Sequence, residues 1–221
     1  MKDIPMFTTE YGVASLMLHE VPYRQEAYIR VHDVQPGHLE DLIRECMGFC
    51  RAVGAERVYW SAGDSEGELY AAVYEMQGTA WVDSEKLESL FPVTRETVIQ
   101  FRQLLNEKMA GVDNAATITA SDEQALLDSA GAYFVHRNGH LLGLGWLEGE
   151  RLLAVAAMEL GAGERVMHTL MSLVEGARIT IEVSSTNTRA LRLYEKLGFL
   201  TVRNVLQWYD VSEAWRSEEN C

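Results

Sequence analysis

Glu182-Val183-Ser184-Ser185-Thr186-Asn187-Thr188-Arg189-Ala190-Leu191-Arg192-Leu193-Tyr194-Glu195-Lys196-Leu197-Gly198-Phe199 is the most specific stretch of this chain. Arg178 to Ser184 alternates apolar and polar residues, which predicts a strand. If Ile179, Ile181 and Val183 face helices, then Thr180, Glu182 and Ser184 face the other side of the sheet. Thr188 to Leu197 then predicts a helix that stops at Gly198. Asn187 stands just before it, where Asn is favoured as a helix cap. Leu200 to Val211 is strand-like.

Upstream, Gly161-Ala162-Gly163 opens a helix whose apolar positions are Val166, Met167, Leu170, Leu173 and Val174. Three strands precede it. Ala132 to Arg137 and Leu141 to Trp146 are separated by Asn138-Gly139, the strongest short hairpin signal. Leu152 to Met158, rich in Leu, Val and Ala, suits a strand covered on both faces. Earlier still, Leu90 to Val93 is a short extended piece. A helix follows, with the stripe Val98, Phe101, Leu104, Leu105 and Met109, and a shorter one spans Ser121 to Ser129.

The first part of the chain reads as strands in Gly12 to Val21 and Gln25 to Val34, a helix over Leu39 to Val53, and a strand at Arg57 to Ser61. Glu68 to Gln77 predicts a helix closed by Gly78. Two landmarks recur in the same order. Gly54-Ala-Glu-Arg-Val58 matches Gly176-Ala-Arg-Ile179, and Val73-Tyr74-Glu75-x-x-Gly78 matches Leu193-Tyr194-Glu195-x-x-Gly198. This suggests duplication, with a domain boundary near residue 86.

The stretch from Glu182 to Phe199 resembles the closing motif of the Gcn5-related N-acetyltransferases. Gly161-x-Gly163 at a strand-to-helix turn resembles that family's pyrophosphate loop. The resemblance covers about residues 88 to 211 in full and the first half in part. It implies an α/β (α+β) fold with a mixed central sheet flanked by helices, in tandem: a truncated copy in 1–86 and an acetyltransferase domain in 87–221. It implies acetyl-CoA as cosubstrate, held by Met158, Glu159, Leu160, Gly161, Ala162, Gly163 and Glu164, with Asn187 a further contact. It implies that the strands Leu152–Met158 and Arg178–Ser184 splay to admit pantetheine. Tyr194 would protonate the departing thiolate and Glu182 would serve as base. The first position of the loop is Met158 where the family usually has Arg or Gln, and Glu159 and Glu164 bracket the glycines. Glu164 suits a helix first turn but would repel a pyrophosphate unless it points away. The first half has Val34-Gln-Pro-Gly-His38 at the equivalent turn and Gly67 at the Asn187 counterpart, so it is expected to hold no cofactor of its own.

The chain has 221 residues, with 33 acids against 19 bases and a formal net charge of −14. That balance argues against nucleic acid and against anionic lipid, and it favours a cationic partner. No apolar run reaches membrane-spanning length, and the N-terminus lacks a secretory signal. Three cysteines, Cys46, Cys50 and Cys221, fit a reducing cytoplasm and buried or idle thiols. The histidines His19, His32, His38, His136, His140 and His168 show no metal spacing and are expected at surfaces or caps. Trp146, Trp208 and Tyr209 are expected in core packing. The acceptor is expected to be a primary amine on a peptide or small molecule. The alternative is a catalytically inactive module that senses CoA or binds protein. A homodimer through sheet edges or repeats is left open.

Overall fold

The computed structural model describes residues 5–61 and 69–210. Cys221, Gly67 and the first residue of the helix expected at Glu68 lie outside the described residues. The chain divides into two compact units: one runs to Ala72 and resumes at Leu206, and the other spans Val73 to Val205. Residues 73–86 therefore belong with the second unit, and the division differs from a boundary at 86.

The first unit contains β1 (Met6–Thr8), β2 (Gly12–Met17), α1 (Val21–Arg24), β3 (Glu26–Val34), α2 (Leu39–Ala52) and β4 (Arg57–Ser61). Strands β1, β2 and β3 pair antiparallel in sequence, and β3 pairs parallel with β4 across the α2 crossover. The apolar stripe of α2 carries Leu42, Ile43, Cys46, Met47 and Cys50, and it packs on Ala14, Leu16, Ala27, Ile29, Val58 and Trp60. Burial pushes the Cys46 and Cys50 thiols up to about 12, so both stay protonated and inert. On the other face of the sheet, Tyr28, Tyr59 and Trp208 form an aromatic cluster.

The second unit takes in most of β5 (Leu69–Thr79), then β6 (Ser89–Pro92), α3 (Val98–Met109), α4 (Glu123–Ser129), β7 (Ala132–Arg137), β8 (His140–Glu148), β9 (Arg151–Ala157), α5 (Gly163–Met171), β10 (Arg178–Ser184), α6 (Thr188–Lys196) and the first half of β11 (Leu200–Asp210). Its sheet runs in the order β5-β10-β9-β8-β7-β6. The β7–β8 hairpin turns at Asn138-Gly139, both with positive φ (51° and 81°), as a tight two-residue turn demands. Strand alternation feeds two cores. Val135, Val155 and Ala157 meet α5 and α6 through Val166, Met167, Leu170 and Tyr194. Phe134, Leu144 and Ala156 meet α3 and α4 through Phe101, Leu105 and Leu126.

The segment expected as a helix at Glu68–Gln77 is instead β5. Residues Val73 to Thr79 pair antiparallel with Ser184 to Arg178 over seven positions. Tyr70, Val73 and Tyr74 suit a pleated surface, and Tyr74 and Met76 turn toward the α5–α6 core at period two. Gly78 consequently ends no helix. It sits in the strand under Phe199, where a Cβ would come within 2.8–2.9 Å of the ring. The second landmark of the sequence repeat thus matches a strand, Val73-Tyr74-Glu75, to a helix, Leu193-Tyr194-Glu195, and carries no structural equivalence.

A strap, residues 80–88, binds along α5. The Asp83 N–H donates to His168 Nδ1 (3.3 Å), the Glu88 N–H donates to Thr169 Oγ1 (3.1 Å), and Arg165 pairs with Glu88 (2.9 Å). His168 was expected at a surface or cap; at 1% exposure it is core, and its ring is a buried acceptor. Desolvation, helped by the Lys86 charge, holds its pKa below the ordinary imidazole value.

Three outcomes follow from this packing. Gly78→Ala should destabilise by about 1–3 kcal/mol, because the buried Phe199 ring has no room to yield. Gly48→Ala, on the exposed side of α2 with nothing within 4 Å of the new methyl, should be neutral or stabilising by up to ~1 kcal/mol; denaturant unfolding measures both. For His168 the folded pKa is depressed, so the unfolded chain binds the extra proton first. Its contribution is complete above the unfolded value of 6.5 and is lost as pH falls below it. The slope of stability against pH between ~5 and 6.5 should flatten in His168→Gln.

Candidate active site

The site is built where β9 and β10 part. They pair parallel through Thr180↔Arg151 and Ile181↔Leu152 and no further. The corresponding pair in the first unit, β3 with β4, stays joined over five positions, Glu26↔Arg57 to Arg30↔Ser61. A register shift explains the difference. Leu147 of β8 faces Leu152 while Trp146 faces Ala154, which leaves Leu153 as a bulge residue, 40% exposed. A bulge bends its strand and sharpens the local twist, and this one falls one residue beyond the last β9–β10 pair. The opening expected between these strands is therefore present, and its cause is a feature that the sequence does not advertise.

Backbone polarity lines the opening. The Thr180 N–H donates to the Glu150 carbonyl (2.8 Å). Alternate residues of a strand address the same edge, so the last pair, Ile181↔Leu152, takes up the Glu182 N–H on the Leu152 carbonyl, and the Glu182 carbonyl and both backbone groups of Ser184 turn toward β9 with no β9 residue in register. On the other side, the Met158 N–H donates to the Leu142 carbonyl of β8 (2.8 Å). Ala157 and Val155 therefore point their amides away from β8, into the opening.

At the mouth of this opening lies the loop Met158 to Ala162. Gly161 has φ +86°, a conformation that admits Gly readily and strains other residues. Leu160 is 90% exposed, whereas Ala162 is buried. The first backbone bond into α5 is Val166 N–H to the Ala162 carbonyl (3.0 Å). The amides of Gly163, Glu164 and Arg165 consequently have no backbone acceptor among the described residues. Three free N–H groups at the positive end of a helix dipole form an anion site. Met158 offers its carbonyl to Lys108 Nζ (3.4 Å). Glu159 is exposed at the loop start, and its carbonyl accepts the Ala162 N–H (3.3 Å).

Glu164 departs from expectation. Its carboxylate is clamped by Lys86 (2.5 Å) and Lys196 (2.6 Å). Hydrogen bonds from Lys196 and Lys86 hold its pKa down to about 2. The repulsion expected from a bare acid in this turn is thus neutralised by two cations. Neither lysine was singled out in the sequence, because Lys86 reaches the loop only through the strap and Lys196 only through the C-terminal end of α6.

Asn187 caps α6, accepting the Ala190 N–H on its side-chain oxygen (3.2 Å). Tyr194 is 4% exposed and packs near Phe199, with ring centroids 5.8 Å apart. Its hydroxyl has no hydrogen-bond partner among the described residues. Desolvation raises its pKa, so it keeps its proton at neutral pH. Glu182 lies on the opposite face of β10 from Tyr194, 40% exposed at the side chain and paired with Arg151 (2.9 Å). Its cross-strand neighbour Glu75 is paired with Arg203 (2.7 Å). Tyr194 and Glu182 therefore lie on different faces of the sheet. Trp208 and Tyr209 are core residues, and Trp146 packs half-buried against the α3–α4 core. Among the described residues no cluster of three metal-ligating side chains occurs, and no helix is long and apolar enough to cross a membrane.

No family model matches the sequence, and no curated protein is significantly similar to it. Solved structures do match the fold. An acetyltransferase of the GNAT family from Colwellia psychrerythraea superposes with a TM-score of 0.53 at 13% identity, covering 93% of this chain and 84% of that one. A GCN5-related N-acetyltransferase from Sphaerobacter thermophilus gives 0.53 at 12% identity, covering 90% and 76%. A conserved protein of unknown function from Staphylococcus epidermidis gives 0.58 at 10% identity, covering 94% and 93%. The mixed central sheet flanked by helices thus follows one known architecture: this chain has the fold of the Gcn5-related N-acetyltransferase superfamily.

Proposed function

We propose that this chain is an acyltransferase that moves an acetyl group from acetyl-CoA to a primary amine of a small molecule or peptide. The observation that carries the reading is the parting of β9 and β10 directly before a glycine loop and a helix with three free amides. The pyrophosphate would accept hydrogen bonds from Gly163, Glu164 and Arg165. The extended pantetheine arm, with its two amides, would complete the unpaired edges at Val155, Ala157, Glu182 and Ser184, much as a strand completes a sheet.

Acyl transfer needs a neutral amine, a polarised thioester carbonyl and a proton for the thiolate. The buried, protonated Tyr194 hydroxyl supplies that proton. The Glu182 carboxylate, on the exposed face of β10, accepts the proton that the attacking amine sheds. The excess of acids over bases, 33 to 19, is compatible with a cationic acceptor and selects none. A second reading, a CoA-binding module without turnover, draws on one observation: Arg151 holds Glu182 in an ion pair, and an acceptor would have to displace that arginine before the carboxylate could act.

Isothermal titration with acetyl-CoA tests the common part of both readings. Binding at micromolar to sub-millimolar concentration is expected, and its absence near millimolar would remove both. Release of free thiol on a panel of amines separates them, since a binding module would hold CoA without turnover. Tyr194→Phe should lower turnover by ~10²-fold with little change in acetyl-CoA affinity. An unchanged rate would take Tyr194 out of the mechanism.

A further inference from the structure

Three acidic groups crowd the loop that would take a polyanion: Glu159 in the loop, Glu164 in the first turn of α5, and Asp83 on the strap. Lys86 reaches both Asp83 (3.4 Å) and Glu164, while Lys196 reaches Glu164. The two lysines come from distant parts of the chain. Their positions are not chance contacts of loose side chains. Lys86 is delivered by a strap whose backbone is bonded to the buried His168 and Thr169 on α5, and Arg165 of the same helix donates to the Glu85 carbonyl beside it (3.4 Å). Lys196 ends α6, whose Leu193 and Tyr194 are packed into the same core as α5. Two independently anchored elements thus bring an ammonium group to each oxygen of one carboxylate.

Such an arrangement has a direct electrostatic consequence. With both lysines in place, the first turn of α5 bears a neutralised acid and its amides can receive an anion. Remove either ammonium and a carboxylate remains within one turn of those amides, where it opposes the helix dipole's attraction for phosphate. Lys196 is two-thirds exposed and its only carboxylate partner among the described residues is Glu164, so it is free to swing to an incoming phosphate oxygen.

We infer that Lys86 and Lys196 are binding residues for the diphosphate-bearing part of the cosubstrate, with Glu164 as the internal anion that positions them before the ligand arrives. The inference rests on the proposed use of this loop and extends it. It assigns specificity to two residues outside the glycine motif and accounts for how an acid-flanked loop without a basic first position accepts a polyanion.

The test is a charge-rescue cycle. Binding of CoA and, separately, of inorganic pyrophosphate is measured by isothermal titration at low, fixed ionic strength. The proteins are wild type, Lys196→Met, Lys86→Met, Glu164→Gln and Lys196→Met/Glu164→Gln. Each lysine variant should lose affinity by ~10-fold. Glu164→Gln should bind as tightly as wild type or more tightly, and the double variant should regain the part of the loss caused by the uncovered carboxylate while staying several-fold weaker than Glu164→Gln. The gap between the double variant and Glu164→Gln is the informative readout, because with Glu164 uncharged it measures the contact of Lys196 with the ligand alone. Unchanged affinity in both lysine variants, or a double variant as tight as Glu164→Gln, overturns the inference while leaving acetyl-CoA binding intact. Lysine-dependent binding of pyrophosphate without binding of CoA keeps the inference and removes the acetyl-CoA reading. Absence of both ligands from the wild-type protein overturns both. Circular dichroism melting of each variant confirms that it is folded before its affinity is read.

Discussion

Beyond Leu152 and Ile181, β9 and β10 stop satisfying each other's backbone. A sheet does not give up such pairing without compensation, since a buried amide or carbonyl without a partner costs roughly 1–3 kcal/mol. The amides at Val155 and Ala157, the Glu182 carbonyl and the groups at Ser184 must therefore meet water or a ligand. The rest of the second unit holds that condition in place. The Leu153 bulge bends β9 away, and β5 pairs with β10 along its full length on the far side. Helices α5 and α6 fill the space below through Val166, Met167, Leu170 and Tyr194. Rigid strands flanking an unpaired edge form a slot whose chemistry is backbone chemistry, suited to a ligand carrying amides of its own.

Charge completes the slot at its mouth. The helix dipole and the three free amides of α5 favour an anion, yet the local sequence is acidic. The structure resolves that conflict through Lys86 and Lys196, which hold Glu164 ionised and neutralised at once. The strap that carries Lys86 is itself seated by a neutral, buried His168. Packing, hydrogen bonding and electrostatics thus converge on one helix turn from three segments far apart in sequence.

What was legible in the sequence was local. The helix from Thr188, its Asn187 cap and the β7–β8 turn at Asn138-Gly139 are written in residues adjacent to each other, and they fold as read. The glycine loop and the strands that flank it were legible for the same reason, reinforced by a specific family motif. The bulge at Leu153 was not, because nothing in Leu-Leu-Ala-Val marks which residue drops out of register; only the partner strand decides it. The helix expected at Glu68–Gln77 failed because its Ala, Tyr and Glu content satisfies a helical pattern, while seven cross-strand pairs with β10 override that preference. Lys86, Lys196 and His168 were invisible for a third reason: each matters only through a contact with a segment roughly 30 to 85 residues away.

The central claim is that one slot, between β9 and β10 and ending at the start of α5, takes the cosubstrate. Titration of 15N-labelled protein with acetyl-CoA, followed by heteronuclear NMR, addresses it amide by amide. The account predicts that the largest shifts fall at Val155, Ala157, Ser184, Gly163, Glu164 and Arg165, with β3 and β4 undisturbed. Shifts confined to other elements, or none at saturating acetyl-CoA, would contradict it.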